Sequence, residues 1–268
     1  MHAALASSSA TATAADTPRG AQARARMLHA ALDLFGRHGF DGTRTRMVAD
    51  AAGMNLGAIA YYFGSKEDLY VAAADHLARF IERMQAESLQ TLRQRALRTS
   101  SREVLIDLVV DYLCAQARVL LSEAVPASWV QFFLRVQAES GAASERVFTQ
   151  VVEPAQAEID ALMRRICGPD ADELVPRALT FLAFHQVMSV RLADQALLRR
   201  LDWDGLTPSR IEQLLGLIGQ TLRAQLRAPL QTPLQTPLRT SPRTPETAPP
   251  CPLASSPTTV FSLEPTRP

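Results

Sequence analysis

Lysine is all but missing from this chain of 268 residues: every basic residue except Lys66 is an arginine. Cysteine is scarce too. Cys114, Cys167 and Cys251 lie far apart, with no C-x-x-C and no histidine at ligand spacing, which argues against a disulfide framework or a zinc site and fits a reducing compartment. The five histidines are scattered. No metal and no cofactor are therefore expected. No apolar run approaches the roughly 18 to 20 residues of a bilayer span. The most apolar stretch, 178–190, is short and is interrupted by His185 and Gln186. The first 20 residues lack the basic start and apolar run of a secretion signal, so a soluble cytoplasmic protein without membrane attachment is expected. A nucleophile motif, a phosphate-binding glycine loop and H-E-x-x-H are also missing, which leaves an enzyme no set of convergent polar groups.

What is there is an ordinary globular composition, 47% apolar and 21% charged, in a length that allows one or two domains with buried cores. The net charge of +1 averages unlike parts. From Arg19 to Lys66, seven basic residues (Arg19, Arg24, Arg26, Arg37, Arg44, Arg46, Lys66) face three acids (Asp33, Asp41, Asp50), an excess of +4. That excess falls where phosphate attraction would be useful.

The stretch 43–70, TRTRMVADAAGMNLGAIAYYFGSKEDLY, organises the rest. Thr43 can cap a short helix to about Ala52, Gly53 suits the left-handed residue of a tight corner, and Asn55 can cap a second short helix over 56–62. Small residues (Gly57, Ala58, Ala60) leave that helix a slim outer face, while Ile59 and Phe63 point to a core. Two short helices at a glycine corner make a helix-turn-helix. Ser65-Lys66-Glu67-Asp68 has the form of a capping box, so a third helix begins at Ser65. Upstream, Met27, Leu28, Ala31, Leu32, Leu34 and Phe35 predict a helix over 21–38 ended by Gly39, with Phe40 plugging the core.

The ordered pattern G-x-N-x-G-x-I-x-Y-Y-F-x-S-K-E-D-L resembles the DNA-binding segment of the tetracycline-repressor (TetR) family of transcriptional regulators, and Y-Y-F-G-S-K-E-D-L-Y resembles its CecR-type branch. The resemblance implies an all-α fold: an N-terminal three-helix DNA-binding domain, then an all-helical domain that binds an effector and dimerises. It implies a ligand-responsive repressor that binds a pseudo-palindromic double-stranded operator as a homodimer and is released by a small molecule. The residues carried over for DNA are Thr43, Arg44, Arg46, Asn55, Leu56, Gly57, Ala58, Tyr61, Tyr62 and Lys66. Arg44 and Arg46 are groove and phosphate contacts or a solvated helix face; Asn55 reads an adenine edge or only caps its helix. Of the tyrosines, Tyr62 is favoured for a phosphate and Tyr61 for packing. Lys66, in a first helical turn where the dipole disfavours a cation, points to a phosphate partner. Polar residues are usual in the family at the positions of Leu56 and Ala58, so the bases read here are not implied. The competing reading is an all-helical enzyme or interaction protein that does not bind DNA.

Beyond Lys66, periodicity predicts helices over 65–98, from about 104 to a break at Val125-Pro126, and over 127–137, 144–167, 172–199 and 208–227. Pro154 should kink the fourth of these, while Thr207 caps and Pro208 opens the last. Trp129, Gln131, Phe132, Arg135, His185 and Met188 combine aromatic and polar groups in apolar surroundings and are the candidate effector-binding residues. Apolar stripes at 179–190 and 211–222, the latter including Leu215, are candidates for the dimer contact. The resulting division is a disordered tail over 1–20, a helix-turn-helix domain over 21–66, an effector and dimerisation domain over 67–227, and a Pro/Thr-rich disordered tail over 228–268.

Overall fold

The computed structural model describes residues 17–228 apart from 123 and 193. The expectations for residues 1–16 and 229–268 lie outside the described residues. Within them the chain forms eleven α-helices and no strand.

The first helix, α1, spans Pro18–Gly42. It starts earlier than periodicity predicts because Thr17 accepts a hydrogen bond from the Gly20 N–H (3.1 Å) and Pro18 occupies the first turn, where a missing N–H costs nothing. Its regular body stops at Gly39, whose φ of 74° turns the chain. Phe40 then stacks on Phe35 and meets Tyr70 edge-on, the plug expected of it. Helices α2 (Thr45–Ala51) and α3 (Leu56–Phe63) flank Gly53, at φ 65°, and make the predicted helix-turn-helix. The long α4, Lys66–Leu97, is capped by Ser65, which accepts from the Asp68 N–H at 3.0 Å and donates to the Asp68 carboxylate at 2.6 Å.

Next come α5 (Arg102–Leu121) and α6 (Ala127–Ala138), separated near Pro126 as predicted. The kink expected at Pro154 takes a definite form. After α7 (Ala142–Val147), a π turn over Phe148–Val152 leads into α8 (Glu153–Cys167). Pro154 has no N–H to continue the ladder, and just before it the Glu153 N–H reaches back five residues to the Phe148 carbonyl. The last helices are α9 (Leu174–Leu192), α10 (Asp194–Leu201) and α11 (Pro208–Arg227), with Thr207 capping α11.

Two cores result. One joins Met27, Leu32 and Phe35 of α1 with Val48, Ile59 and Leu69 of the helix-turn-helix region, and it is closed by Trp129, Phe132 and Val136 of α6 and Val147 of α7. The first three helices therefore do not bury their apolar faces alone. The second core gathers Leu92 and Ala96 of α4 with α5, α8, α9 and α11. Leu214, Leu215, Ile218 and Leu222 of α11 all point into this subunit's own interior, with Leu215 only 4% exposed. The stripe at 211–222 is consequently internal packing, and an α11 residue left outward is Leu217. On α9, Leu174, Phe181 and Leu182 are exposed.

Candidate nucleic-acid interface and internal cavity

Helix α3 divides its residues sharply. Ala58 and Ile59 are buried, Tyr62 and Phe63 lean on the first core, and Leu56, Gly57, Ala60 and Tyr61 face outward, with Leu56 52% and Tyr61 58% exposed. These four outward positions form two i, i+4 pairs, so they make a single slim face. Ala60 belongs to that face, as its small side chain suggested, but was not among the expected DNA contacts, although its spacing from Leu56 would have included it.

Several expected contact residues are placed differently. Thr43 is 1% exposed, and its hydroxyl donates to the carbonyls of Gly39 (2.8 Å) and Leu34 (3.1 Å), tying down the end of α1. It neither caps α2 nor reaches the surface; Arg44 holds the cap position without a side-chain bond. The Ala58 side chain is 7% exposed and likewise faces inward. The two tyrosines exchange the expected roles, Tyr62 packing and Tyr61 standing out, with their rings edge to face at 4.9 Å. Asn55 Oδ1 accepts from the Ala58 N–H at 2.9 Å, so capping is its role in this structure.

The basic groups also separate. Arg44 and Arg46 are exposed at α2, Arg46 lying 3.9 Å from an equally exposed Asp50. Arg24 and Arg26 brace α1 against the helix-turn-helix instead. Arg24 lies over the Phe63 ring at 5.1 Å, while Arg26 donates to the Ala52 carbonyl (3.4 Å) and reaches Met54 Sδ (3.5 Å). Lys66 Nζ sits 4.3 Å above the Phe40 ring. Such a contact contributes on the order of 0.5–1 kcal/mol, comparable to the roughly 0.3–1 kcal/mol by which a helix start disfavours a cation. A phosphate is therefore not needed to account for this lysine.

Below this head, α4, α5, α6, α8 and α9 line a partly open cavity of about 170 Å³. Trp129, His185 and Met188 line it as expected. Gln131, Phe132 and Arg135 do not: Phe132 is fully buried against Phe35 and Tyr70, Arg135 would meet any side chain added at Gly39, and Gln131 faces outward. A helix presents i, i+1, i+4, i+5 and i+8 to one side, and Gln131, Phe132 and Arg135 fall outside the set that starts at Trp129. The α6 residues that do line the cavity, Trp129, Val130, Phe133, Leu134 and Gln137, keep the helical spacing. The expected effector-binding set also lacked the α4 contribution, notably Phe80, Ile81, Met84 and Gln85.

A ring cluster joins the cavity wall to the head. Trp129 meets His29 of α1 edge-on at 5.1 Å and Phe80 of α4 at 5.3 Å, and His29 lies 5.2 Å from His76. Burial, and then the nearby His29, Arg83 and Arg24, push the His76 pKa down from its ordinary value.

Models of known families match segments in both halves of the chain. Residues 27–73 match the model for bacterial regulatory proteins of the tetR family, and residues 101–229 match that for the C-terminal domain of the HTH-type transcriptional dual regulator CecR. The dual regulator CecR of Shigella flexneri is 32% identical over 211 residues, covering 78% of this chain and 92% of that protein. The chain is a TetR-family transcriptional regulator of the CecR type. Its members regulate transcription rather than catalyse reactions, and α2 and α3 are its DNA-binding helix-turn-helix. The regulatory protein RaaS of Mycobacterium tuberculosis is 42% identical over 69 residues, 26% of this chain and 32% of its own. Among solved structures, a transcriptional regulator from Pseudomonas aeruginosa PAO1 has the same fold, with a TM-score of 0.51 at 18% identity over 75% of this chain and 90% of that one. A fatty acid metabolism regulator of Clostridium perfringens has a TM-score of 0.50 at 14% identity over 73% of this chain and 97% of its own. No helix among the described residues is long and apolar enough to cross a membrane.

Proposed function

We propose that this regulator is a cytoplasmic repressor that binds a pseudo-palindromic operator as a homodimer and is released when a small molecule fills the cavity. The observation that carries this reading is the path of α4. This one helix of 32 residues begins at the end of the helix-turn-helix and lines the cavity with Leu77, Phe80, Ile81, Met84 and Gln85. A ligand that shifts α4 changes the position of the head, and DNA bound to the head resists that shift by the same free energy.

In this reading the outward face of α3 (Leu56, Gly57, Ala60 and Tyr61) enters the major groove, Arg44, Arg46 and Lys66 flank it, Tyr62 packs behind it, and Asn55 fixes the N-terminus of α3. Trp129, His185 and Met188 contact the effector. The exposed apolar groups Leu174, Phe181 and Leu182 of α9 and Leu217 of α11 supply the dimer contact. Two-fold symmetry then requires two half-sites about one or two helical turns apart.

Footprinting on the DNA upstream of its own gene tests the reading. A symmetric protected site is expected. Arg46→Ala should weaken specific and random DNA alike and lower the salt-dependence slope by about one per subunit if Arg46 meets a phosphate. Failure to shift that fragment, or any fragment selected from random duplexes, at low salt and micromolar protein would refute the reading.

A further inference from the structure

The cavity wall carries no Asp, Glu, Lys or Arg among the described residues, and its one titratable side chain is His185, at an exposed position. Its polar groups are carboxamides: Gln85, Gln116, Gln137 and Gln156. Two of these are partly engaged. Gln85 Oε1 accepts from the Tyr112 hydroxyl at 3.4 Å, and Gln116 Nε2 donates to Ser88 Oγ at 2.9 Å. The Gln85 amide nitrogen and both polar atoms of the Gln156 side chain find no protein partner among the described residues. The remainder of the wall is aliphatic, aromatic (Phe80, Trp129, Phe133, Phe184) and thioether (Met84, Met188).

An ionised group against such a wall gives up hydration without meeting a fixed counter-charge, so it binds there less well than its neutral analogue. A neutral carbonyl, hydroxyl or amide instead finds the unengaged carboxamides of Gln85 and Gln156, which both donate and accept. Methionines adapt to irregular apolar shapes. We propose that the effector is an uncharged, largely apolar molecule bearing neutral hydrogen-bonding groups, and that the cavity rejects anions such as carboxylates and sulfonates. The inference rests on the reading of this cavity as the effector site.

The chain has two tryptophans, Trp129 in the cavity wall and Trp203 beneath the Arg210 guanidinium at 5.2 Å. Trp203→Phe leaves Trp129 as the sole tryptophan reporter. N-phenyl-1-naphthylamine and 1-anilinonaphthalene-8-sulfonate share a skeleton and differ by the sulfonate, and both accept energy from tryptophan. In the full-length Trp203→Phe protein, the uncharged probe should quench Trp129 saturably with a Kd at least tenfold below that of the sulfonate. Gln156→Arg, at a half-buried position, should narrow that ratio by supplying a counter-charge, with thermal melting confirming that the variant is folded. Saturable quenching with a ratio below tenfold overturns the inferred ligand class while leaving the effector site in place. No quenching of Trp129 by either probe overturns the effector site itself.

Discussion

Gly36→Ala tests whether the head and the cavity wall are rigidly joined. Gly36 lies in α1 where it crosses the start of α6. A Cβ there would stand 1.9 Å from the Ser128 carbonyl oxygen, 2.7 Å from its carbon and 3.2 Å from its Cα. All three are backbone atoms, so no side-chain rotation relieves the contact. Restoring an ordinary 3.4 Å separation moves the helices apart by about 1.5 Å, and Trp129, the next residue, moves with Ser128. Against backbone at 1.9 Å the cost lies in the upper part of the overpacking range, about 2–3 kcal/mol. Alanine's better helix propensity returns up to about 1 kcal/mol, leaving a net loss of about 1–3 kcal/mol. At roughly 2–4 °C per kcal/mol for a chain of this size, Tm should fall by about 2–12 °C. Gly205→Ala is the matched control, because nothing lies within 4 Å of its added Cβ; its Tm should hold or rise slightly. Thermal melting of both variants, with operator binding measured at a temperature where each is folded, reads the effect. An unchanged Tm for Gly36→Ala would refute the close α1–α6 packing and, with it, the direct mechanical link from Trp129 to the head.

Other perturbations probe separate parts of the molecule. Arg102 donates to the Ile166 carbonyl (2.9 Å) and the Leu226 carbonyl (2.7 Å), satisfying the C-terminal ends of α8 and α11 together; Arg102→Ala should cost about 1.5–3 kcal/mol in denaturant unfolding, and a loss below 0.5 kcal/mol would show that water replaces it. The His76 pKa is lowered in the fold by burial and then by His29, Arg83 and Arg24, so the folded state holds fewer protons than the unfolded one just below the ordinary histidine pKa of about 6.5. Its stabilising contribution is therefore complete above that pH and declines as pH falls through it. Tm should drop between pH 7.5 and 5.5, and His76→Gln should flatten the drop; an identical slope in the variant refutes the assignment. Leu182→Asp, at a position 61% exposed, should convert the dimer to monomer in light scattering and weaken operator binding while the monomer keeps its helical signal. Leu215→Asp, at a buried site, should unfold the chain. Equal loss of helicity in both would count against a dimer contact at α9.

Local chemistry was legible along the chain because it depends on residues a few positions apart. The Ser65–Asp68 cap, the Gly53 corner, the Asn55 cap and the Thr207-Pro208 start are all contacts within one turn, and the structure has each of them. The helix-turn-helix and the family followed from that ordered set. Which side of each helix meets which neighbour was not legible, because it depends on elements far apart in the chain. Thr43 was expected at the DNA surface, but the turn at Gly39 brings the Leu34 and Gly39 carbonyls to its hydroxyl and draws it inside. The α11 stripe was expected at the dimer contact; packing of α5 against it sent Leu215 inward and left Leu217 outside. Trp129 and Phe132 are both aromatic and three residues apart on α6, yet only Trp129 faces the cavity, because α1 and Tyr70 of α4 close over Phe132. Sequence by itself determined the family and most of the helices and their caps; tertiary structure drew Thr43 away from the α2 cap, divided the helix expected over 172–199 into α9 and α10, and decided which faces are buried, since an apolar stripe specifies that it will be covered and leaves the covering element to the packing of the whole chain.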